Sequence, residues 1–280
     1  MVEPTWEIRT GDCVAGLREI PTGEAQFVFA DPPFNIGYEY DVYDDARDDH
    51  EYLGWSALWL REVRRVLRPR GTFWLAIGDE YVADLDVICR RELGLHRRAW
   101  VVWYYTFGVA CPQNFARSHT HLLYYTRGRA EFTFNRRDPR IRVPSARQLI
   151  YHDKRANPDG KLPDNTWVLS PFDLAKAFSE EEDTWLASRI CGTFHEREAN
   201  AANQMPLEIL HRVILACSNP GDLVVDPFVG TGTTGASAIM HGRRFLGFEL
   251  SEAYAERSRR RLRNIETALR DQATRREQCA

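Results

Sequence analysis

The stretch DLVVDPFVGTGTTGASAIM, residues 222–240, decides the fold of this chain. An apolar run ends at Asp226, a glycine-rich turn follows, and a helical pattern comes directly after the turn. The glycines stand at Gly230-x-Gly232-x-x-Gly235, a spacing that lets the backbone of a strand–turn–helix unit approach a ligand closely. The stretch therefore predicts a strand, a ligand-binding turn and a helix.

The acids around this turn indicate what kind of ligand it binds. Glu249 ends the next apolar run, about 20 residues after the first glycine, where an acid that binds a ribose is expected. Asp226, directly before the glycines, would repel a pyrophosphate and suits a cationic ligand such as S-adenosylmethionine. The sequence therefore favours a nucleoside-type cofactor without a pyrophosphate. A turn without a ligand and a nicotinamide or flavin dinucleotide site stay open.

The second informative stretch is ADPPFNIGY, residues 30–38. The apolar residues 27–29 predict a strand that must end here, because two consecutive prolines cannot sit inside a sheet or a helix. Such an end is either an ordinary turn or a site that fixes one carboxylate, two rigid carbonyls and one aromatic ring. The glycine-rich turn elsewhere in the chain favours the second interpretation.

The rest of the chain alternates predicted strands and helices. Strands are predicted at 6–9, 26–30, 72–77, 100–106, 121–126, 222–225 and 244–248. Helices are predicted from the turn after the first strand to residue 20, and at 52–67, 80–93, 206–218, 233–241 and 252–269. This alternation predicts an α/β fold in which helices cover both faces of a mostly parallel, twisted sheet.

Residues 127–205 interrupt this alternation with five prolines and few periodic segments, as an insertion with a task of its own would. Within them, residues 127–155 carry nine Arg or Lys and three acids, which indicates either a solvated surface or contact with nucleic-acid phosphates. The candidates for phosphate contact are Arg127, Arg136, Arg137, Arg140, Arg142, Arg147, Lys154 and Arg155. The acidic stretch 39–51 would repel phosphates and is interpreted either as a mobile loop over the site or as a plain surface loop.

Composition limits the class of protein. The chain has 280 residues, 44% of them hydrophobic and 28% charged, and its formal net charge of −3 predicts no global attraction to nucleic acid. The pattern predicts no signal peptide and no transmembrane segment, so a reducing cytoplasm is the expected compartment. Six scattered Cys without a CxxC pair argue against zinc sites and disulfides. His119 and His121 form an HxH pair for which no third ligand is expected nearby, so no metal is predicted.

Two motifs together resemble those of amino-directed DNA methyltransferases. DPFVGTGTT at 226–234 resembles their FxGxG cofactor motif, and ADPPF at 30–34 resembles their (D/N/S)PP(Y/F) catalytic motif. The catalytic motif comes first in the chain, which resembles the β-class of the family. TGDC at 10–13, ARSHTHLLYYTRG at 116–128 and LPDNTWVL at 162–169 resemble further segments of the family, so the resemblance covers nearly the whole chain.

The resemblance implies a Rossmann-like methyltransferase fold with a circularly permuted motif order. It divides the chain into a catalytic part at 1–126, an inserted target-recognition region at 127–200 and a cofactor-binding part at 201–280. The implied catalytic residues are Asp31, Pro32, Pro33 and Phe34. The implied cofactor-binding residues are Asp12, Cys13, Asn203, Gln204, Asp226, Pro227, Phe228, Gly230, Gly232, Thr233, Thr234 and Glu249. Met205 departs from the family, which usually has Lys there, so no charged contact to the cofactor is expected from this segment.

The reaction implied by the resemblance moves a methyl group from S-adenosylmethionine to an exocyclic amino group of a base in duplex DNA. Asp31 and a proline-constrained carbonyl can accept the two N–H bonds of that group, and Phe34 can stack on a base flipped out of the duplex. Adenine N6 is favoured because Asp rather than Ser opens the PPF motif. Cytosine N4 stays the alternative because the same clamp fits both amines. The order Cys111-Pro112-Gln113 is not the Pro-Cys-Gln order typical of carbon-5 methylation.

Other classes of protein stay open beside this one. They are an amino methyltransferase for RNA or for protein glutamine, a dinucleotide-dependent oxidoreductase, and a DNA-binding protein with an inactive methyltransferase fold. Double-stranded DNA is the expected partner, without a membrane, and a homodimer and a cognate restriction endonuclease are further partners left open. The expected location is the cytoplasm or nucleoid of a bacterium or an archaeon.

Overall fold

The computed structural model describes residues 5–109, 113, 115–169, 185–186 and 204–278. Nine strands within these ranges form a single sheet. In chain order they are β1 (Trp6–Thr10), β2 (Ala25–Ala30), β3 (Leu67–Ile77), β4 (His96–Val109), β5 (Arg117–Thr126), β6 (Thr166–Leu169), β7 (Trp185–Leu186), β8 (Leu223–Asp226) and β9 (Arg244–Glu249). Their order across the sheet is β1-β9-β8-β2-β3-β5-β4-β6-β7. Strand β5 runs antiparallel to both of its neighbours, and every other pair is parallel.

Helices cover both faces of this sheet. They are α1 (Cys13–Glu19), α2 (Asp49–Val66), α3 (Val82–Val87), α4 (Ala146–Leu149), α5 (Leu207–Cys217), α6 (Thr233–Met240) and α7 (Glu252–Gln278). One apolar cluster joins the sheet to α5 and α7 through residues such as Ile209 and Leu262. The cluster on the other face joins it to α1 and α2 through residues such as Leu17 and Leu60. The predicted α/β fold with helices on both faces is therefore confirmed.

The central strand β2 shows why the sheet is buried on both sides. Its sequence AQFVFA is apolar apart from one Gln, and every residue in it is buried. Phe27 and Phe29 pack into the cluster that contains α5, whereas Val28 and Ala30 pack into the cluster that contains α2. Continuous apolar strands of this kind are typical of parallel sheets with helices on both faces.

The strand order brings the two ends of the chain side by side. Strand β1 pairs with β9, and β2 pairs with β8. From β8 the chain continues through α6 to β9 on one side, whereas from β2 it continues through α2 to β3 on the other. Connections that diverge in this way leave a crevice at the carboxyl ends of the strands, where ligands bind in open α/β sheets. We call this side of the sheet the carboxyl edge and the opposite side the amino edge.

Two elements differ from the sequence prediction. Strand β3 begins at Leu67, directly after α2, so the predicted stop at 68–71 lies inside a strand. The pairing between β2 and β3 shifts register there, and a Cβ on Gly71 would lie 2.9 Å from the Arg68 carbonyl oxygen. Glycine therefore allows the bulge. The predicted helix at 80–93 is split into α3 and a π-helical turn, Ile88–Glu92.

We call residues 127–155, which follow β5, the basic segment. Its first part runs along the amino edge. The backbone N–H of Arg127 donates to the Gly71 carbonyl at 3.0 Å, and that of Asn135 donates to the Ala216 carbonyl at 2.7 Å. Gly71 lies in the first part of β3 and Ala216 at the end of α5, which both belong to the amino edge. Further along, β6 extends the sheet beside β4, and the boundary at residue 127 stays a prediction.

Candidate active site

Three acidic side chains meet at the carboxyl edge, where β2, β8 and β9 end. Burial, together with the nearby charge of Asp226, raises the pKa of Asp31 to about 7. Burial likewise raises the pKa of Asp226 to about 7 and raises the pKa of Glu249. Buried carboxylates that repel one another favour a cation between them. The structure therefore brings these predicted site residues together in surroundings that suit a positively charged ligand.

The glycine-rich turn is held by hydrogen bonds to its backbone. Gly230 and Gly232 have φ angles of 51° and 77°, in the left-handed region that favours glycine. The Gly230 N–H donates to Oε2 of Glu249 at 2.8 Å, and the Gly230 carbonyl accepts from the Ser258 hydroxyl at 2.7 Å. A Cβ on Gly232 would lie 3.1 Å from the Cβ of Ser258. The turn is thus fixed in a shape that a larger residue could not take.

The residues on either side of the glycines support the turn. The Phe228 N–H donates to Oδ1 of Asp226 at 2.8 Å, and its ring centroid lies 5.2 Å from that of Trp59. Pro227 is buried beside them. At the start of α6, a hydrogen bond with Thr234 holds the pKa of Asp226 lower than burial alone would. Thr234 is therefore placed to support a site carboxylate.

The Thr233 hydroxyl contacts an arginine of α7. Its hydroxyl accepts a hydrogen bond from Nη1 of Arg261 at 3.1 Å, and the same guanidinium donates to the Thr231 carbonyl at 2.9 Å. These contacts join the turn to α7. The structure thus gives Thr233 a place in the support of the turn, while its predicted contact with the cofactor stays a prediction.

The remaining predicted cofactor residues are spread around the crevice. Asp12 caps α1 by accepting from the Ala15 N–H at 2.9 Å, and the neighbouring Gly11 N–H donates to the Glu249 carbonyl at 2.8 Å. Cys13 is buried, and burial raises the pKa of its thiol to about 12. Gln204 is buried as well, whereas Asn203 lies outside the described residues. Asp12 is therefore the exposed polar group on the β1 side of the turn.

The departure at Met205 has a physical explanation. Its side chain is only 8% exposed and belongs to the apolar cluster around Ile209. A lysine at this position would place a charged group in that cluster unless its end reached solvent. Methionine instead fills the space beneath the start of α5.

The catalytic motif is held from behind by a buried tyrosine. The Tyr52 hydroxyl donates to the Pro33 carbonyl at 2.7 Å, and burial raises the pKa of Tyr52, so the hydroxyl stays a donor. The Phe34 ring packs against Gly78, where an added Cβ would lie 3.1 Å from Cδ2 of the ring. Asp31 is half-buried and Pro32 is buried. The carboxylate, the proline backbone and the ring therefore have a fixed relation, as the sequence predicts.

The acidic loop after this motif is an ordered connection across the crevice. The buried Asp45 carboxylate accepts from the backbone N–H groups of Asn35, Ile36 and Tyr38 at 2.8, 3.1 and 3.0 Å. Asn35 has a φ of 56°, a strained value for a residue other than glycine that these bonds stabilise. Further along, Asp41 accepts a hydrogen bond from the Ser251 hydroxyl, two residues after Glu249. The loop thus connects the ADPPF motif to the chain beside Glu249, and its role over the site stays a prediction.

Asp79, which follows Gly78 in the chain, forms a cluster with two histidines. Nε2 of His119 and Nε2 of His121 both lie 2.9 Å from Oδ1 of Asp79, and the three residues offer ligand atoms within 4.8 Å of one another. The expectation that the HxH pair has no third ligand nearby is therefore wrong. No local pattern reveals Asp79, because it follows β3 and meets the histidines only through the pairing with β5.

The hydrogen bonds of this cluster argue against a metal ion. The Trp100 indole N–H donates to Nδ1 of His121 at 2.8 Å. An indole is a donor only, so Nδ1 is the acceptor and Nε2 carries the proton that faces Asp79. A neutral histidine in this tautomer has no lone pair at Nε2 for a metal. The prediction of no metal stays a prediction, now with this tautomer in its support.

The predicted phosphate-binding residues lie away from the carboxyl edge or bind within the protein. Arg140 pairs with Asp138 at 2.6 Å, and Arg147 and Arg155 both pair with Asp153, at 3.4 and 3.0 Å. Arg142 donates to the carbonyls of Arg136, Asp159 and Gly160, and Arg127 donates to the Leu67 carbonyl. The side chains of Arg136, Arg137 and Lys154 are exposed and have no ion pair among the residues that the structure describes. The structure therefore does not bring the basic cluster to the three acids.

Comparisons with known proteins connect this geometry to a family. The family model described as a DNA methylase, of the N6/N4 class, matches residues 25–260. The chain belongs to the N6/N4 DNA methyltransferase family. It is an enzyme of that family, and S-adenosylmethionine is its methyl donor. The family, fold, enzyme class and cofactor predicted from the sequence are confirmed.

Named relatives cover most of the chain. The Type II methyltransferase M.HpaI of Haemophilus parainfluenzae is 30% identical over 90% of this chain and 72% of its own length. The DNA adenine methyltransferase YhdJ of Escherichia coli (strain K12) is 31% identical over 90% of this chain and 81% of its own. Among solved structures, the DNA modification methylase TTHA0409 of Thermus thermophilus, complexed with S-adenosyl-L-methionine, has a TM-score of 0.59 at 23% identity. It covers 92% of this chain and 95% of its own, and supports the fold alone.

One further structural finding bears on the expected surroundings. Among the helices of the described ranges, none is both long enough and apolar enough to span a membrane.

Proposed function

We propose that this methyltransferase acts on the N6 amino group of adenine in duplex DNA. The observation that carries the proposal is the position of Asp31, which directly follows the end of β2, lies beside Asp226 of the glycine-rich turn, and comes three residues before Phe34. A carboxylate in this place can accept one amino N–H and stabilise the positive charge that develops on the nitrogen during transfer.

The second acceptor for the amino group is proposed to be the Pro32 carbonyl. The Pro33 carbonyl accepts the Tyr52 hydroxyl, so its direction is set toward the interior of the protein. The two proline rings restrict the backbone between Asp31 and Phe34. Pro32 therefore has the carbonyl that is left to face the base, and Phe34 is placed to stack on that base.

The residues of the glycine-rich turn fit S-adenosylmethionine as the family implies. The buried Asp226 and the half-buried Glu249 have raised pKa values, which a cationic ligand would lower by favouring their charged forms. The left-handed Gly230 has space where a Cβ would stand, with the Phe228 carbonyl oxygen 4.0 Å away, so its backbone can be approached closely, whereas Gly232 lets the turn pack against Ser258. When bound, the cofactor supplies an electrophilic methyl group. Asp12, on the β1 side of the turn, is proposed to contact its adenine.

Adenine is preferred to cytosine for two reasons. Asp rather than Ser opens the PPF motif, and the relative YhdJ is named a DNA adenine methyltransferase. The cytosine N4 group is the second candidate, because it offers the same pair of N–H bonds to the same two acceptors. RNA and protein glutamine are less favoured substrates because the family and its relatives are DNA methyltransferases.

The product of the reaction tests this proposal. The protein is incubated with S-adenosylmethionine and unmethylated genomic DNA, the DNA is digested to nucleosides, and methylated nucleosides are quantified by mass spectrometry. N6-methyladenine is the expected product, and N4-methylcytosine would show the second candidate to be correct. In Asp31→Ala the transfer should be lost while calorimetry still detects S-adenosylmethionine binding. Near-normal transfer by that variant would refute the role of Asp31.

The DNA-recognition parts of the protein are also a proposal. Residues 127–200 are proposed to contain the target-recognition region, since they separate the catalytic and cofactor parts of the chain. The Type II name of M.HpaI is consistent with a cognate restriction endonuclease, which we leave open together with a homodimer. Because the substrate is DNA and the relatives are bacterial, the proposed location is the bacterial cytoplasm and its nucleoid.

A further inference from the structure

The amino edge of the sheet carries a groove lined with arginines. It is formed by residues 134–140 together with Asn219, Pro220 and Arg243, and we call it the amino-edge groove. Asn219 and Pro220 precede β8, and Arg243 directly precedes β9, so the groove lies where these strands begin. Its position is opposite to the acids of the active site, which lie where the same strands end.

The groove has a rigid wall. Nδ2 of Asn135 donates to the carbonyls of Leu215 and Ser218 at 2.8 and 2.9 Å. Nη1 of Arg142 donates to the Arg136 carbonyl at 2.7 Å. The Asn135 bonds tie the basic segment to the end of α5, and the Arg142 bond holds the backbone at Arg136, so Arg136 and Arg137 project from a fixed surface.

The charge in the groove is strongly positive. Arg243 is 4% exposed and donates to the Ser218 hydroxyl at 3.0 Å and to the Ser218 carbonyl at 2.6 Å. Burial and the charge of Arg140 both lower the pKa of Arg243. Arg140 is paired with Asp138 at 2.6 Å. Arg136 and Arg137 are exposed and have no acidic partner among the described residues, so the groove keeps an excess of positive charge.

The positive charge of the groove lies too far from the active site to contact the DNA segment that contains the target base. Strand β9 alone spans about 17 Å between Arg244 and Glu249, at ~3.3 Å for each residue of a parallel strand. The groove lies beyond the amino end of this strand and the active site lies at its carboxyl end. A duplex placed at the carboxyl edge therefore has the length of the sheet's strands between it and the groove.

We propose that the amino-edge groove binds the phosphate backbone of DNA outside the duplex segment that enters the active site. Arg136 and Arg137 would each neutralise one phosphate, and the fixed backbone would hold them for that contact. The chemistry is charge attraction without base recognition, which suits any sequence of the same long molecule. Two sites on one polymer raise the effective concentration of the enzyme at its substrate.

The test compares two double variants with the same change in charge. Arg136→Ala/Arg137→Ala removes the two unpaired arginines of the groove. The control is Arg275→Ala/Arg276→Ala, which removes two arginines that are also consecutive and exposed, near the end of α7. Both pairs are on the surface without ion pairs among the described residues, so folding is expected to survive in each variant. Each protein is measured on linear plasmid DNA and on a duplex of about two helical turns, ~20 bp, that contains a mapped target site.

The expected result depends on the length of the DNA. On plasmid DNA, the slope of the logarithm of the DNA-binding constant against the logarithm of salt concentration should be less steep for the groove variant by about 2. Each phosphate contact contributes about 0.9 to the steepness of this slope. Its affinity for plasmid DNA should fall at least about tenfold at low salt, whereas the control should keep the wild-type slope. On the short duplex the groove variant should methylate with unchanged kcat/KM.

Three outcomes would overturn the proposal. An equal loss on the short duplex would place the two arginines at the DNA in the active site. A plasmid slope equal to that of the control would show that the groove is only a solvated surface. A change of sedimentation coefficient in the groove variant, without a change in DNA affinity, would assign the groove to contact between protein chains. Each outcome can be read without a change in the methylated product, so the test is independent of the choice between adenine and cytosine.

Discussion

Replacing Tyr52 with phenylalanine removes one hydroxyl group from behind the catalytic motif. That hydroxyl donates to the Pro33 carbonyl at 2.7 Å, and the ring is fully buried, so phenylalanine fills the same space. The variant leaves the carbonyl without this donor, and the expected loss of unfolding free energy is about 1–3 kcal/mol. The protein should therefore stay folded and can be assayed.

The variant should lose catalytic rate as well as stability. The hydrogen bond fixes the peptide between Pro33 and Phe34, so its loss lets the stacking ring and the Pro32 carbonyl move. A misplacement of about 1 Å can lower a rate by about 100-fold, so kcat is expected to fall roughly 10- to 100-fold. The Kd for S-adenosylmethionine should not change, because Asp226 and Glu249 take their hydrogen bonds from the glycine-rich turn.

The assay is methyl transfer in a single turnover at saturating S-adenosylmethionine, with calorimetry for cofactor binding and chemical denaturation for stability. Tyr43→Phe is the matched control. Its hydroxyl is buried without a hydrogen-bond partner among the described residues, and its ring packs 5.7 Å from that of Trp55 in the same aromatic group. This control should keep wild-type kcat. If Tyr52→Phe loses stability but keeps wild-type kcat, Tyr52 supports only the fold and the positioning argument is refuted.

Three further predictions concern the cofactor side of the site. Affinity for S-adenosylmethionine should rise as the pH increases from about 5 to about 8, because the cation binds ionised Asp31 and Asp226, whose pKa values are raised to about 7. Calorimetry across this pH range measures the affinity. If the affinity of Asp226→Asn rose with pH as steeply as that of the wild type, this prediction would be contradicted. Since the folded pKa values lie above the unfolded value of 3.8, the unfolding free energy of the free protein should fall as the pH rises from about 4 through about 7. Gly232 has a φ of 77°, and a Cβ there would lie 3.1 Å from the Cβ of Ser258. Gly232→Ala should therefore lose about 1–2 kcal/mol of unfolding free energy and lose cofactor binding. The control Gly54→Ala lies in α2, where an added Cβ has no atom within 4 Å, and it should lose neither.

The parts of the site that follow parallel strands could be predicted from the sequence. Asp31 and Asp226 each follow or end an apolar run that forms a buried strand, and parallel strands place their carboxyl ends on one side of a sheet. Glycines at 230 and 232 are visible as residue types that permit left-handed backbone. Local pattern and the rule for parallel sheets were therefore sufficient to bring these residues together.

The placement of the basic segment could not be predicted in this way. Residues after a parallel strand emerge at the carboxyl edge, but β5 is antiparallel, so the chain after Thr126 emerges at the amino edge. The sequence of β5 contains apolar and aromatic residues in a run and gives no sign of its direction. The same non-local pairing explains why Asp79 was missed as the partner of His119 and His121.

The acids, rather than the glycines, distinguish this site from that of a dinucleotide enzyme. Gly230-x-Gly232-x-x-Gly235 fits either class, because glycines only allow close approach of a ligand. A pyrophosphate would bring two negative charges toward Asp31 and Asp226, whose burial already makes their own charges unfavourable. A sulfonium cation reverses the sign of that interaction and stabilises the ionised carboxylates. In the proposed role, Asp31 must be ionised to accept the amino group and stabilise its developing charge, so the ligand that relieves the site would also prepare the proposed catalytic acid for methyl transfer.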